Sequence, residues 1–242
     1  FSKAYSAQTN LLSVTPISVE TDISRGLHSF AIVGLPDKAV EEARDRVSAA
    51  IKNSGFESPK AKNQKIIISL APADQKKEGP SFDLAIALSY LAASGDIELE
   101  PGGRLFLGEL SLDGKVRGVR GILPIARCAK ANNFKELYVP EENVKEAALI
   151  DGIKIFGVPN LKSLTEHLSG EKLLKPAELT ILERELTESV IDFADVRSQE
   201  RAKRGLLIAA AGGHNCAMYG PPGTGKTMLA KAFTGILPEL NF

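Results

Sequence analysis

Tryptophan is absent from the 242 residues, and cysteine occurs only twice. Cys128 and Cys216 stand far apart and lack the closely spaced Cys/His companions of a zinc site. Two such thiols make no disulfide framework; both are expected to be small buried residues in a reducing compartment. Tyr5, Tyr90, Tyr138 and Tyr219 form no stripe on which single-stranded bases would stack. An excess of one charge is lacking too. The 30 Lys+Arg residues balance 30 Asp+Glu, which excludes a uniformly basic nucleic-acid-binding surface and leaves room only for a local patch. No apolar run nears the roughly 20 residues of a membrane span. The opening "FSKAYSAQTNLLSVTPISVE" lacks the basic-then-apolar order of a signal peptide. A cytoplasmic protein with no membrane partner is expected. His28, His167 and His214 share no spacing that suggests a metal site or a catalytic base, and are read as structural.

What is present is the composition of an ordinary globular protein, 43% apolar and 25% charged. Residues 11 to 33 read as two paired strands with a break at Ser24–Arg25–Gly26. In "PDKAVEEARDRVSAAIKNSG", Val40, Ala43, Val47, Ala50 and Ile51 share one helical face, and Gly55 is a plausible stop. "QKIIISLAP" is a buried strand, and "FDLAIALSYLAASG" an apolar helix. Two strands meet around the turn pair Asp113–Gly114. "LPIARCAKANNF", "ELYVP", "EENVKEAALI", "IKIFGV" and "NLKSLTEHLSG" then alternate helix and strand.

This order predicts one mixed α/β domain over 1–168. A polar, charged linker with a short helical piece follows over 169–191, and a further module over 192–242. In that module a helix is expected from about Ser198 to Ala211, then the strand "CAMYG" (216–220), a loop and a helix.

The loop is the strongest signal in the chain. "GPPGTGKT" places Gly220, Pro221, Pro222, Gly223, Thr224, Gly225, Lys226 and Thr227 in the pattern G-x-x-x-x-G-K-[ST]. Glycines let backbone amides turn inward toward phosphate oxygens. Lys226 supplies a mobile charge for the β- and γ-phosphates, Thr227 a hydroxyl for Mg²⁺, and the following helix its positive N-terminus. ATP and Mg²⁺ are the expected cofactors. Hydrolysis needs, in addition, an acid at the end of a second strand and a group that orients water. After Thr227 the only acid is Glu239. No catalytic residue is therefore assigned. The chain is expected to be a truncated piece that binds nucleotide weakly and does not hydrolyse it.

"APADQKKEGPSFDLAIALSYLAASG" and "LGELSLDGKVRGVRGILPIARCAK" resemble the proteolytic domain of Lon-type ATP-dependent proteases. Ser81 in "EGPSFD" matches the nucleophile, but Leu123 stands where the family has its activating lysine. Lys76, Lys77 and Lys115 do not fit the spacing. A serine without a base is a weak nucleophile, so Ser81 is expected instead to cap the helix that follows it.

The blocks "VGLPDKAVEEARDRVSAAIKNSGFESP", "LAPADQKKEGPSFDLAIALSYLAASG" and "DFADVRSQERAKRGLLIAAAGGHNCAMYGPPGTGKT" are together similar to the magnesium-chelatase-like AAA+ ATPases of bacteria, the ComM-type group. The resemblance implies a non-proteolytic Lon-like α/β domain followed by the start of a P-loop AAA+ α/β module. It implies ATP as ligand, a homo-oligomer (a hexamer) when intact, and, for some members, DNA as a partner in branch migration or helicase-type remodelling. It also makes Val196 a candidate adenine contact. Arg197, Arg201, Lys203 and Arg204 outnumber Asp195 and Glu200 and are the local support for DNA contact; a solvated helix face explains the same cluster. A chelatase-type or other protein-remodelling ATPase, and a non-catalytic adaptor role for the first domain, are the alternatives.

Overall fold

The computed structural model describes residues 1–10, 13–100, 102–181 and 191–238. They form two compact units, Phe1–Leu182 and Glu183–Phe242.

The first unit is built on a four-stranded sheet of order β1-β2-β4-β3, from β1 (Ser2–Asn10), β2 (Ser13–Arg25), β3 (Ser29–Val33) and β4 (Gln64–Ala71). β1 pairs antiparallel with β2 from Ser2↔Thr21 to Asn10↔Ser13. The strands on either side of Ser24–Arg25–Gly26 do not pair with each other, contrary to the sequence expectation. β4 lies between them, antiparallel to β2 and parallel to β3. Helix α1 (Lys38–Asn53) joins β3 to β4, and a helical crossover is what brings parallel strands side by side. β4 takes the inner place because Gln64, Ile66, Ile68 and Leu70 alternate into the core. β1 was not foreseen: its polar residues alternate too weakly to announce a strand.

Asp37 caps α1, its Oδ1 accepting from the Val40 amide at 2.8 Å. The buried face of α1 is the expected one, Val40, Ala43, Val47, Ala50 and Ile51. α2 (Asp83–Ser94) is apolar on nearly every side and is buried without interruption from Asp83 to Leu91. Each large side chain it removes from water stabilises by about 1.5–3 kcal/mol. Gly34 (φ +106°) lies against the Leu70 carbonyl, where a Cβ would overlap the oxygen.

A second, all-parallel sheet has the order β5-β8-β9, with β5 (Arg104–Phe106), β8 (Glu136–Pro140) and β9 (Lys154–Val158). The short hairpin β6 (Glu109–Leu110) and β7 (Val116–Arg117) turns at Asp113–Gly114 as expected. Helices α3 (Ile122–Ala131), α4 (Val144–Ala147) and α5 (Leu161–Leu168) fill the connections. Residues 171–181, expected to be linker, lie along this unit: the Leu174 amide donates to His167 Nδ1 (3.0 Å), Ala177 to the Ile155 carbonyl (2.8 Å) and Thr180 to that of Ala148 (2.9 Å). None of them is helical, and 182–190 lie outside the described residues.

In the second unit, α6 (Glu200–Gly212) and α7 (Lys226–Thr234) enclose a small core of Val196, Leu206, Leu229 and Ala232. The expected strand at 216–220 does not form, and Cys216 and Tyr219 are exposed. An apolar strand holds its shape by pairing with neighbours, and no described residue supplies one. Neither cysteine is buried as expected: Cys128 is half-buried, its thiol directed at the Val14 carbonyl.

Candidate functional site

The G-x-x-x-x-G-K-T segment forms a tight loop that opens directly into α7. Gly223 and Gly225 both adopt φ +81°, a left-handed conformation that suits glycine and turns the chain through the loop. Lys226 folds its ammonium back into the loop, donating to the carbonyls of Gly220 (2.8 Å) and Pro221 (2.6 Å), with Thr224 Oγ1 at 3.4 Å. Thr224 Oγ1 itself donates to the Pro221 carbonyl at 2.9 Å. No side chain caps the N-terminus of α7, so its first amides remain available to an anion. Thr227 is exposed in this first turn, and its hydroxyl has no partner among the described residues.

A cleft of about 550 Å³ runs from the loop along α6, lined among others by Gln199, Leu206, Met218, Gly220 and Lys226. It lies within the range of about 300–1,000 Å³ usual for ligand clefts. Of the loop residues, Gly220, Pro221, Thr224 and Lys226 line it, and Pro222, Gly223, Gly225 and Thr227 do not. Val196 does not line it either: it is buried in the small core against Leu206 and Leu229. Gln199, which the sequence reading passed over, lines the cleft and donates through Nε2 to the Thr224 carbonyl at 3.4 Å. It and Ser198 hold positive φ (66° and 61°), a strain of order 1–3 kcal/mol each that no feature of the sequence announces.

The fit to phosphate is chemical. The Lys226 ammonium is held by neutral carbonyls, with no carboxylate to displace among the described residues, beside uncapped amides. The exposed Thr227 hydroxyl is the loop oxygen that could serve Mg²⁺. Among the described residues no cluster of three or more His, Cys, Asp or Glu side chains could hold a metal by itself. Glu239 lies outside the described residues.

A second cleft, of about 320 Å³, opens in the first unit around Ser81. Ser81 does not cap the helix as expected. α2 starts two residues later, at Asp83, because Pro80–Phe82 forms a single tight 3₁₀ turn, and no side chain caps α2. The Ser81 carbonyl accepts from the Gly108 amide at 3.1 Å, while its hydroxyl has no partner among the described residues. Among the described residues no lysine or histidine lines this cleft. Lys77 is fully buried, its ammonium tied to the Pro72 and Gln75 carbonyls, and burial lowers its pKa. Lys76 pairs with Glu78 and Lys115 with Asp113. Leu123 offers only its backbone amide, which donates to Glu146.

The model for subunit ChlI of magnesium chelatase matches residues 19–143, and a second model, magnesium chelatase subunit ChlI, matches 192–242. The chain belongs to the ChlI family.

Its membership is that of an AAA+-type ATPase family. Within that family the chain is 39% identical over 229 residues to the competence protein ComM of Haemophilus influenzae, covering 93% of this chain and 44% of ComM. It is 44% identical over 232 residues to YifB of Escherichia coli, covering 95% of this chain and 44% of YifB. The chain therefore spans less than half the length of these curated relatives. Lon protease 2 of Bacillus subtilis is similar over 93 residues at 31% identity, 38% of this chain and 16% of that protease. The Lon-like character of the first unit is thus carried by sequence likeness as well as by its mixed α/β fold. No helix among the described residues is long and apolar enough to cross a membrane.

Proposed function

We propose that Gly220 to Thr227 bind the phosphates of ATP with Mg²⁺, and that the chain is the nucleotide-gripping part of an AAA+ motor. The observation that carries this reading is the Lys226 ammonium, held inside the loop by the Gly220 and Pro221 carbonyls at the uncapped start of α7. On binding, Lys226 exchanges those carbonyls for β- and γ-phosphate oxygens. The amides of the first α7 turn take the remaining charge, and Thr227 turns its hydroxyl to the ion. Mg²⁺, when bound, would neutralise phosphate charge.

Kinship with a competence protein favours a DNA-remodelling ring, a hexamer, over a chelatase subunit for the whole protein. Arg197, Arg201 and Arg204 form no ion pair among the described residues, whereas Lys203 pairs with Glu200 at 3.7 Å; the three arginines are the local candidates for DNA contact.

The test has two arms. A fluorescent ATP analogue should bind this chain and lose affinity at least tenfold in Lys226→Ala. The full-length protein should hydrolyse ATP faster with branched DNA than without it, and the same substitution should abolish this. Binding unaffected by Lys226→Ala would sink the nucleotide site. Hydrolysis indifferent to DNA would move the reading to a protein-remodelling or chelatase-type ring.

A second reading concerns the first unit alone, a non-catalytic adaptor. That no described lysine or histidine lines the Ser81 cleft favours it over proteolysis.

A further inference from the structure

β3 ends the four-stranded sheet on the side away from β1. β4 lies on one side of it, and no described strand lies on the other. Such an edge presents unpaired backbone N–H and C=O groups, and natural strands protect it with charge, proline or a cover. Ser29, Phe30, Ala31, Ile32 and Val33 bring neither charge nor proline. Phe30 and Ile32 turn toward the core shared with α1 and are only partly buried, at its open margin. Ala31 and Val33 alternate the other way and are exposed. Apolar exposure collects around the same strand: Leu27 is 91% exposed, Val33 45% and Leu35 56%. Leu35 also holds φ +56°, a left-handed conformation that strains a bulky residue. An apolar side chain kept in water on a strained backbone marks a contact surface.

The strand is complementary to itself. With a second β3 laid antiparallel about a two-fold axis at Ala31, Phe30 comes opposite Ile32 of the second copy, Ser29 opposite Val33, and the small Ala31 opposite its own equivalent. Aromatic and β-branched residues stabilise each other across antiparallel strands, whereas like charges placed opposite do the reverse. No position brought opposite here is charged. The pairing also sets the partly buried Phe30 and Ile32 of each copy against those of the other. Strand and flanking leucines together bury on the order of 1,000 Å² over both copies, the area at which a specific, reversible interface begins.

We propose that β3 is an interface between copies of this chain, two of which join through it into one continuous antiparallel sheet. The contact is self-complementary and stops at two chains, unlike the head-to-tail contact that closes a ring. It does not depend on nucleotide.

Sedimentation velocity of the 242-residue chain tests it. A reversible, concentration-dependent step from one chain of 25.9 kDa to two is expected. Ala31→Lys sets two ammonium groups face to face at the axis and should weaken pairing about tenfold or more. Leu35→Asn, which suits the left-handed backbone better, should weaken it about threefold while the melting temperature stays level or rises. Both residues are exposed, so neither substitution opens the core. Arg127→Glu, on the exposed side of α3, and Lys226→Ala should leave pairing unchanged. The register has its own readout, in a chain carrying Cys128→Ser and Cys216→Ser. There Ala31→Cys should cross-link two chains on mild oxidation. Val33→Cys should not, because the two positions stand four residues, about 13 Å, apart, beyond the reach of a disulfide. A chain that stays single, grows past two, or pairs undiminished in Ala31→Lys overturns the proposal. Equal cross-linking through Val33→Cys overturns it too.

Discussion

Arg46 on α1 grips the carboxylate of Asp83 at the start of α2 with two bonds, Nε to Oδ2 at 2.8 Å and Nη2 to Oδ1 at 3.0 Å. The Leu110 amide adds a third at 3.2 Å. Burial pushes the Asp83 carboxyl upward, and Arg46 and the Leu110 amide pull it back. The bond to Asp83 holds the Arg46 guanidinium above its usual range. One pair thus fastens two helices and the β6–β7 hairpin beside Ser81.

Arg46→Ala leaves that carboxylate buried without its partner, and is expected to cost about 3–5 kcal/mol. Urea unfolding measures it. A loss below about 1 kcal/mol would mean that the pair contributes little to holding α1 against α2.

His167 carries a pH dependence. Its Nδ1 accepts from the Leu174 amide at 3.0 Å, so Nε2 holds the proton and faces the Tyr138 hydroxyl at 3.2 Å. Tyr138 donates in turn to Glu136 Oε2 at 2.9 Å, which Arg104 also holds at 3.0 Å. Burial lowers the His167 pKa below its ordinary 6.5, more than Glu136 raises it. A lowered folded-state pKa means stability present above the unfolded value and lost as pH falls through the folded one. The melting temperature should hold between pH 7.5 and about 6.5 and decline below it. His167→Gln should flatten that decline. An unchanged slope would assign the acid sensitivity to other groups.

Ser6 on β1 is fully buried, and its hydroxyl has no partner among the described residues. Ser6→Ala removes a desolvated polar group, and is expected to leave stability unchanged or raise it by about 1 kcal/mol. A clear loss in thermal unfolding would point to a bond that the hydroxyl makes in solution.

Gly225 (φ +81°) has open space where a Cβ would stand, so a substitution there is felt through the backbone alone. Gly225→Ala should cost about 1–2 kcal/mol and weaken binding of a fluorescent ATP analogue at least tenfold by turning the α7 amides away. Undiminished affinity would show that the left-handed turn is dispensable for gripping phosphate.

The sequence announced what depends on local chemistry. The 3.6-residue spacing of α1, the Asp113–Gly114 turn and the glycine-lysine loop all lie where their residues put them. What it hid depends on distant partners. β3 and β2 carry nothing that says β4 comes between them. Ser81 looked like a cap until the Pro80 turn moved the start of α2 beyond it. The residues at 216–220 have strand composition, and composition alone supplies no neighbour to pair with.

The small core of the second unit has a consequence in time. Val196, Leu206, Leu229 and Ala232 are few anchors for α6 and α7, whereas β4 sends Ile66, Ile68 and Leu70 into the large core shared with α1 and α2. Local opening follows the amount of buried apolar contact. Backbone amides of α6 and α7 should therefore trade hydrogen for deuterium long before those of β4 begin, so that the protein keeps two clocks, the faster one running where phosphate is to be held.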